Sequence, residues 1–181
     1  MKLPPNKQSI TLIGMAGAGK SFIGRNLAKL LEFDFIDTDD VIEKDTNQKL
    51  QKLLNNLGEE KFIELEKNII IGLGNIQNKI ISPGGSVVYS PAAMQYLKAN
   101  SIVIYLADSY DRILNRIRNL ESRGIVGLKN KNFEQLYQER QALYKKYSDI
   151  TIDMSLMQTN DKNAKAKEVI KKIITEINKL N

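Results

Sequence analysis

Short apolar runs alternate with longer amphipathic segments along most of the chain. The apolar runs are rich in β-branched residues and have the length of buried strands. We predict five strands, at residues 10–13, 34–36, 79–82, 101–106 and 150–153. The segments between them repeat apolar residues every three or four positions, which is typical of helices with one buried face. We predict helices at residues 20–31, 39–45, 49–57, 59–72, 91–99, 110–120, 132–147 and 164–179.

This order of elements predicts an α/β fold. Strands that alternate with helices pair in parallel, and the crossover helices cover both faces of the sheet. We therefore expect one three-layer domain over residues 1–181, built on a five-stranded parallel sheet. Ligands of such folds bind beyond the carboxyl ends of the strands.

A glycine-rich segment follows the first apolar run and precedes the first helix. Residues 14–21 read G-M-A-G-A-G-K-S, which matches the phosphate-binding P-loop pattern G-x-x-x-x-G-K-S. The glycines allow backbone N–H groups to converge on an anion, and the start of the helix adds its dipole. We expect Lys20 to reach the β- and γ-phosphates of a nucleotide and the Ser21 hydroxyl to bind Mg²⁺. The fold is then of the P-loop NTPase type.

Two carboxylates come directly after the second predicted strand. Asp37 and Asp39 are separated by one residue and follow the P-loop along the chain. A helix cap would explain Asp39. Phosphoryl transfer, however, needs acidic groups near the metal ion and the acceptor, and the end of a strand faces the ligand. The placement favours a functional role for both carboxylates.

Composition limits the chemistry that the chain can perform. It has no cysteine and no histidine, so a general base must be a carboxylate, a lysine or a tyrosine. The net charge is +6, but the charges are scattered, so we expect an anionic small-molecule substrate and no nucleic acid. The sequence shows neither an apolar run of membrane-spanning length nor the apolar core of a signal peptide, so we expect a cytoplasmic protein.

Several blocks, taken in order, resemble the shikimate kinases, from Gly14 to about Asn163. Residues 58–66 read G-E-E-K-F-I-E-L-E, similar to the family's G-E-x-x-F-R-x-x-E. Residues 82–88 read S-P-G-G-S-V-V, similar to its glycine-triplet segment, and residues 140–144 read R-Q-A-L-Y, similar to its R-x-P-L-Y element. The resemblance implies a monomeric, Mg²⁺- and ATP-dependent kinase with a mobile lid at about residues 112–132. Its acceptor would be a hydroxyl group of a small molecule, most like shikimate, which becomes shikimate 3-phosphate in aromatic amino acid biosynthesis.

The resemblance also implies roles for single residues. Asp39 would bind and polarise the acceptor hydroxyl, with Lys20 and the lid arginine, Arg123, acting on the transferring phosphoryl group. Asp37 would hold Mg²⁺ through water, beside Ser21. The acceptor would also meet the backbone N–H groups of Gly84 and Gly85 and the guanidinium of Arg140. The implied ATP site consists of Gly14, Gly17, Ala18, Gly19, Lys20, Ser21, Phe22, Arg116, Arg123, Thr159 and Asn160.

Within that site, Arg116 would stack near the adenine, and residues 159–163 would form the adenine loop.

Among the positions that depart from the family pattern, three bear on the acceptor site and the lid. Ile63 replaces an arginine that helps to hold the shikimate carboxylate, Pro83 replaces the first glycine of the triplet, and Gly124 replaces the proline of the lid's R-P-L. Lys61 or Lys67 could supply the missing cation. Two alternatives therefore stay open, namely a related kinase with a different hydroxyl acceptor and a nucleotide-binding regulatory module that has lost catalysis. The regulatory module is disfavoured because the chain keeps the P-loop lysine, the two aspartates, Arg123 and Arg140.

Overall fold

The computed structural model describes residues 3–4, 6–117, 124–157, 159 and 161–180. Five parallel strands form one sheet in the order β2-β3-β1-β4-β5. The strands are β1 (Ser9–Ile13), β2 (Asp34–Asp37), β3 (Lys79–Ser82), β4 (Ser101–Ala107) and β5 (Ile150–Asp153). Each lies within one residue of its predicted bounds, and the parallel sheet is confirmed.

Eight helices and one 3-10 turn, Val87–Tyr89, complete the described part of the chain. The helices are α1 (Lys20–Leu31), α2 (Thr38–Thr46), α3 (Leu50–Leu57), α4 (Glu59–Gly72), α5 (Pro91–Asn100), α6 (Tyr110–Arg116), α7 (Phe133–Tyr147) and α8 (Lys162–Asn178). The predicted bounds of α1 and α4 agree with the structure to the residue. The short 3-10 turn was not predicted.

Two helix boundaries were predicted wrongly. Helix α6 ends at Arg116, because Ile117 leaves the helix and packs over Gly17, where an added Cβ would lie 2.9 Å from the Ile117 side chain. Residues 118–120 of the predicted helix lie outside the described residues. Helix α8 begins two residues early, because the Asp161 carboxylate caps it by accepting the Ala164 N–H at 2.6 Å. The expected adenine loop is therefore shorter and ends at Asp161.

Alternate residues of the strands contribute to two apolar layers, one on each face of the sheet. On one face, Ile10, Leu12 and Ile104 pack against helices α1 and α8. On the other, Ile13 and Tyr105 pack against helices α4 to α7. Both faces of the central strand are thus buried, which explains why the strands read as almost continuous apolar runs.

A third, smaller apolar cluster lies beside the sheet. It joins Ile42 of α2, Leu53 of α3, Phe62 of α4 and Val126. This cluster fixes the three helices and the chain around residue 126 to each other at one side of the carboxyl edge of the sheet. Among the residues that the structure describes, no helix combines the length and hydrophobicity that a membrane span requires. The lid at about residues 112–132 stays a prediction, since residues 118–123 are not described.

Candidate active site

The P-loop connects the end of β1 to the start of α1. Gly19 has a φ of +90°, a conformation that favours glycine, and it turns the chain directly into the helix. No side chain of the described residues caps the start of α1, so its first backbone N–H groups remain available to an anion. The Lys20 ammonium donates to the carbonyl oxygens of Gly14 at 2.9 Å and Met15 at 3.2 Å. Burial lowers the pKa of Lys20 from its usual value, although Asp39 and Asp37 oppose the shift. This arrangement fits a nucleotide phosphate chain.

A cavity of about 1020 Å³ opens beside the P-loop. Ala18, Phe22 and Thr159, for which the family resemblance implies contacts with ATP, line this cavity. Arg123 and Asn160, two other predicted ATP contacts, lie outside the described residues. Among the described residues, six cations line the cavity: Lys20, Lys49, Arg112, Arg116, Lys162 and Lys165. So many cations around one cavity favour a polyanionic ligand.

The Ser21 hydroxyl lies next to the last residue of β2. It donates to the Asp37 carboxylate with an oxygen–oxygen distance of 2.6 Å. The same carboxylate caps helix α2 by accepting the Asp39 N–H at 3.2 Å. Helix capping, which the sequence offered as an alternative role for Asp39, is therefore performed by Asp37. Two adjacent oxygen donors suit Mg²⁺. Within the described residues, no group of three metal-binding side chains is present, so Mg²⁺ here would also need phosphate oxygens.

Asp39 lies at the junction of two cavities. Together with Ala16, Leu50 and Gly85 it lines both the large cavity and a small one of about 40 Å³. Burial raises the pKa of Asp39 to about 6, and nearby Lys20 limits the rise. A carboxylate at the boundary of two ligand cavities can accept a proton from a hydroxyl group in one cavity while a phosphoryl donor occupies the other.

The small cavity is enclosed by helices α2, α3, α4 and α7, the loop after β3 and residues 124–126. A Cβ added to Gly84 would meet the carboxylate oxygens of Glu66 and Asp39, the second at 2.9 Å, so a larger residue there would displace both carboxylates. The Gly84 N–H, expected to meet the substrate, donates to the Thr38 hydroxyl at 3.3 Å in this structure.

Arg140 places a buried cation in the wall of this small cavity. Its side chain is 1% exposed. Nη2 donates to the Val126 carbonyl at 2.7 Å, and Nε donates to the Tyr89 hydroxyl at 3.4 Å. Its Cζ also lies 5.1 Å from the centre of the Tyr89 ring. These partners are neutral, and a buried guanidinium is stabilised most by a carboxylate or phosphate. The Arg140 guanidinium therefore suits an anionic partner.

Glu66 is a site residue to which the sequence interpretation gave no role. It is 3% exposed and accepts a hydrogen bond of 2.5 Å from the Ser86 hydroxyl. Burial raises its pKa to about 7, which the Ser86 hydrogen bond limits. A carboxylate that closes a G-E-x-x-F-x-x-x-E block, on the buried side of a helix, was the signal that could have identified it.

The departures from the family pattern lie around this cavity. Ile63 is partly buried and packs into the apolar cluster with Phe62 and Val126 rather than lining the cavity. Neither lysine expected to replace the missing arginine lines it either: Lys61 is exposed, and Lys67 pairs with Glu64. Among the described residues, Arg140 is the guanidinium that this cavity presents.

Four cations of the large cavity were also missed, namely Lys49, Arg112, Lys162 and Lys165. Lys162 and Lys165 lie in the first turn of α8, and Lys162 Nζ is 4.1 Å from the centre of the Phe22 ring. Cations are unfavourable at a helix N-terminus, where the dipole is positive. That mismatch between charge and helix end was a readable signal for an anionic ligand.

Comparison with known proteins gives consistent results. A family model described as shikimate kinase matches residues 16–178. A shikimate kinase of Haemophilus influenzae is 35% identical over 178 residues, which cover 97% of this chain and 95% of that protein. A shikimate kinase of Thermodesulfovibrio yellowstonii is 32% identical over 176 residues, covering 96% and 97% of the two chains. The structure of a shikimate kinase from Acinetobacter baumannii in complex with shikimate has a TM-score of 0.83 and 27% identity, covering 97% of this chain and 95% of that one.

Proposed function

The chain belongs to the shikimate kinase family, and we propose that it transfers the γ-phosphoryl group of MgATP to a hydroxyl group of shikimate. The product would be shikimate 3-phosphate. Binding of ATP is supported by the P-loop and the six cations of the large cavity. Binding of a carboxylate-bearing acceptor is supported by Arg140.

The buried guanidinium of Arg140 is the observation that carries the acceptor assignment. It lies in the small cavity, which shares Asp39 with the nucleotide cavity. An acceptor whose carboxylate pairs with Arg140 can therefore reach Asp39 with a hydroxyl group. Shikimate offers both groups on one small ring, and a planar guanidinium binds a carboxylate through two parallel hydrogen bonds.

Each residue then has a defined part in the transfer. Asp39 accepts the proton of the acceptor hydroxyl while the hydroxyl oxygen forms a bond to the γ-phosphorus of ATP. The bond between that phosphorus and the oxygen of the leaving ADP breaks. Lys20 neutralises charge on the phosphoryl oxygens. Ser21 and Asp37 would hold Mg²⁺, which, when bound, offsets the negative charge of the phosphates. Gly84 and Gly85 leave room for the acceptor at the junction.

Release of ADP in the presence of MgATP and shikimate tests the proposal, with the phosphorylated product identified by ³¹P NMR. Arg140→Lys keeps the charge but loses the fork, so we expect the KM for shikimate to rise roughly a hundredfold while the KM for ATP stays unchanged. Arg25→Lys is the matched control, because Arg25 is exposed and pairs with Asp40 on the surface.

Substitution of Asp39 separates catalysis from binding. We expect Asp39→Asn to abolish turnover and to leave the affinity for MgATP nearly intact. Asp40→Asn changes the neighbouring carboxylate, whose side chain is 72% exposed, and should have little effect. Near-normal turnover of Asp39→Asn would assign the proton acceptor to another group.

A different hydroxyl acceptor is the second candidate, because Ile63 removes one of the guanidinium groups expected at the acceptor carboxylate. A screen of hydroxy acids, polyols and amino alcohols for ADP release distinguishes the two. Faster turnover of another acceptor than of shikimate, with Arg140→Lys still raising its KM, would favour this second candidate.

A further inference from the structure

A buried carboxylate outside the predicted site lies behind the large cavity. Asp108 directly follows β4, and its side chain is fully buried. One carboxylate oxygen accepts the Ser109 N–H at 3.0 Å. The residue thus stands at the carboxyl end of the strand next to β1, where ligands of parallel sheets bind. Burying a carboxylate is costly unless cations compensate its charge.

Three cations surround this carboxylate. Arg116 Nη1 lies 2.7 Å from Oδ2, and Lys165 Nζ lies 3.7 Å from the same oxygen. Arg112 Nη1 lies 3.7 Å from Oδ1. The cations come from two helices, α6 and α8, and all three line the large cavity. One negative charge therefore holds three positive charges at the wall of the nucleotide site.

Two of these cations also hold backbone on the nucleotide side. Arg116 Nη1 donates to the carbonyl oxygen of Gly17 in the P-loop at 3.4 Å. Arg112 donates to the carbonyl oxygens of Met154 at 2.8 Å, Ser155 at 3.0 Å and Met157 at 3.1 Å. That loop leads to Thr159, which lines the cavity. The carboxylate is thus connected to both the P-loop and the loop before α8.

We propose that Asp108 is a positioning residue for nucleotide binding, acting through Arg116 and Lys165. Its carboxylate fixes the directions of these cations, so that their donors face the cavity without first having to be ordered by the ligand. Without it, three cations within a few ångströms repel each other and spread apart. Burial lowers the pKa of the Lys165 ammonium, and Asp108 opposes this shift, which keeps the charge in place. The inference rests on the proposed binding of MgATP.

A double-mutant cycle tests it. The Kd for MgATP is measured by calorimetry for the full chain, Asp108→Asn, Arg116→Gln and the double variant. We expect Asp108→Asn to raise the Kd about tenfold, and the loss in the double variant to be smaller than the product of the two single losses, because both single changes remove the Asp108–Arg116 interaction. In steady-state assays the KM for ATP should rise while the KM for shikimate stays unchanged.

Asp149→Asn is the matched control. Like Asp108, Asp149 accepts a backbone N–H, from Val103 of β4 at 2.8 Å, and pairs with a cation, Lys98 at 3.2 Å, but it lies at the amino end of the sheet. It should leave the Kd for MgATP unchanged. Asp108→Ser removes the same charge with a smaller side chain and replaces Asp108→Asn should that variant fail to fold.

The outcomes are distinct. Additive losses in the cycle, or a lower melting temperature of Asp108→Asn with an unchanged Kd, would show a purely structural role and overturn the inference. Tighter binding of MgATP by Asp108→Asn would show that the carboxylate holds the cations away from the ligand, which also overturns it. Failure of the unsubstituted chain to bind MgATP would instead refute the proposed function itself.

Discussion

The two cavities on either side of Asp39 are built in different ways. The nucleotide cavity is large, and one contiguous segment, residues 16–23, forms part of its wall with a P-loop backbone that suits phosphate. The acceptor cavity is small and enclosed by four helices and two loops that are distant in the chain. The first carries every P-loop residue that its motif requires. In the chain segments around the second, an isoleucine and a proline stand where the family pattern has an arginine and a glycine, although neither residue lines the cavity itself.

This difference shows where the chain can change its chemistry. A P-loop binds through backbone geometry, and any loss of a glycine or of the lysine disturbs the whole loop. An acceptor cavity assembled from separate side chains can alter one of them and keep the others. Under the proposed function, the nucleotide side would define the type of reaction, and the acceptor side would define which molecule receives the phosphoryl group.

The largest effect expected is on the nucleotide side. Lys20→Ala removes the ammonium that faces the phosphates, so we expect a loss of roughly a thousandfold in kcat/KM for ATP. Lys29→Ala, on an exposed position of the same helix, should behave as the unsubstituted chain. Both are measured by ADP release and by MgATP calorimetry. Equal ATP affinity of the two variants would show that Lys20 does not contact the nucleotide, which contradicts the description of the large cavity as the nucleotide site.

The next effect concerns the stability of the acceptor side. Folding raises the pKa of Glu66 to about 7, so the folded chain binds a proton that the unfolded chain has released. The free energy of unfolding should therefore fall as pH rises from about 4.5 to about 7, by up to about 1.4 kcal/mol per pH unit. The groups facing Glu66 are Ser86, Asp39, Arg140 and Lys20.

Urea denaturation at several pH values measures this slope. Glu66→Gln should reduce the slope to the part that Asp39 contributes, and Glu60→Gln, an exposed position on the same helix, should leave it unchanged. An equal slope in Glu66→Gln and the unsubstituted chain would show that Glu66 ionises freely in the fold.

A smaller effect sharpens the acceptor assignment. Ile63→Arg restores the guanidinium of the family pattern, and we expect the KM for shikimate to fall roughly tenfold, as about 1.4 kcal/mol of binding is recovered. Ile69→Arg places the same charge on α4 against the same apolar cluster. Both variants should lose stability, since each brings a charge among apolar side chains. No change in KM for Ile63→Arg would mean that shikimate binds without a second guanidinium.

The smallest effect concerns the chain that covers the acceptor cavity. Gly124 has a φ of +60°, and its N–H donates to the Gln51 side chain at 2.8 Å. An added Cβ would lie 2.9 Å from Leu50 Cβ, whereas Gly74, with a φ of +62°, has open space. Both Gly→Ala variants should lose about 1 kcal/mol to backbone strain. Only Gly124→Ala should also raise the KM for the acceptor a few-fold. An equal KM in Gly124→Ala and Gly74→Ala would show that residues 124–126 take no part in acceptor binding.

The sequence predicted local features well and long-range pairings poorly. The bounds of α1 and α4 and all five strands followed from periodicity, because each pattern is contained in one segment. The Ser21–Asp37 hydrogen bond was anticipated only as a shared metal site. The contact of Asp108 with Lys165 depends on β4 and α8 meeting in space, which no local pattern encodes.

The central position of β1 has a consequence for how the chain acquires its structure. β1 pairs with β3 and β4, so that Ile10 lies beside Ile80 and Ile102, and none of these pairings is local. During synthesis β1 cannot pair until β3 and β4 have left the ribosome. The long chain segments between these strands also make the pairing slow. The P-loop segment is therefore synthesised before β3 and β4 but takes its final shape only after both have paired with β1, and until then the apolar side chains of β1 are open to aggregation.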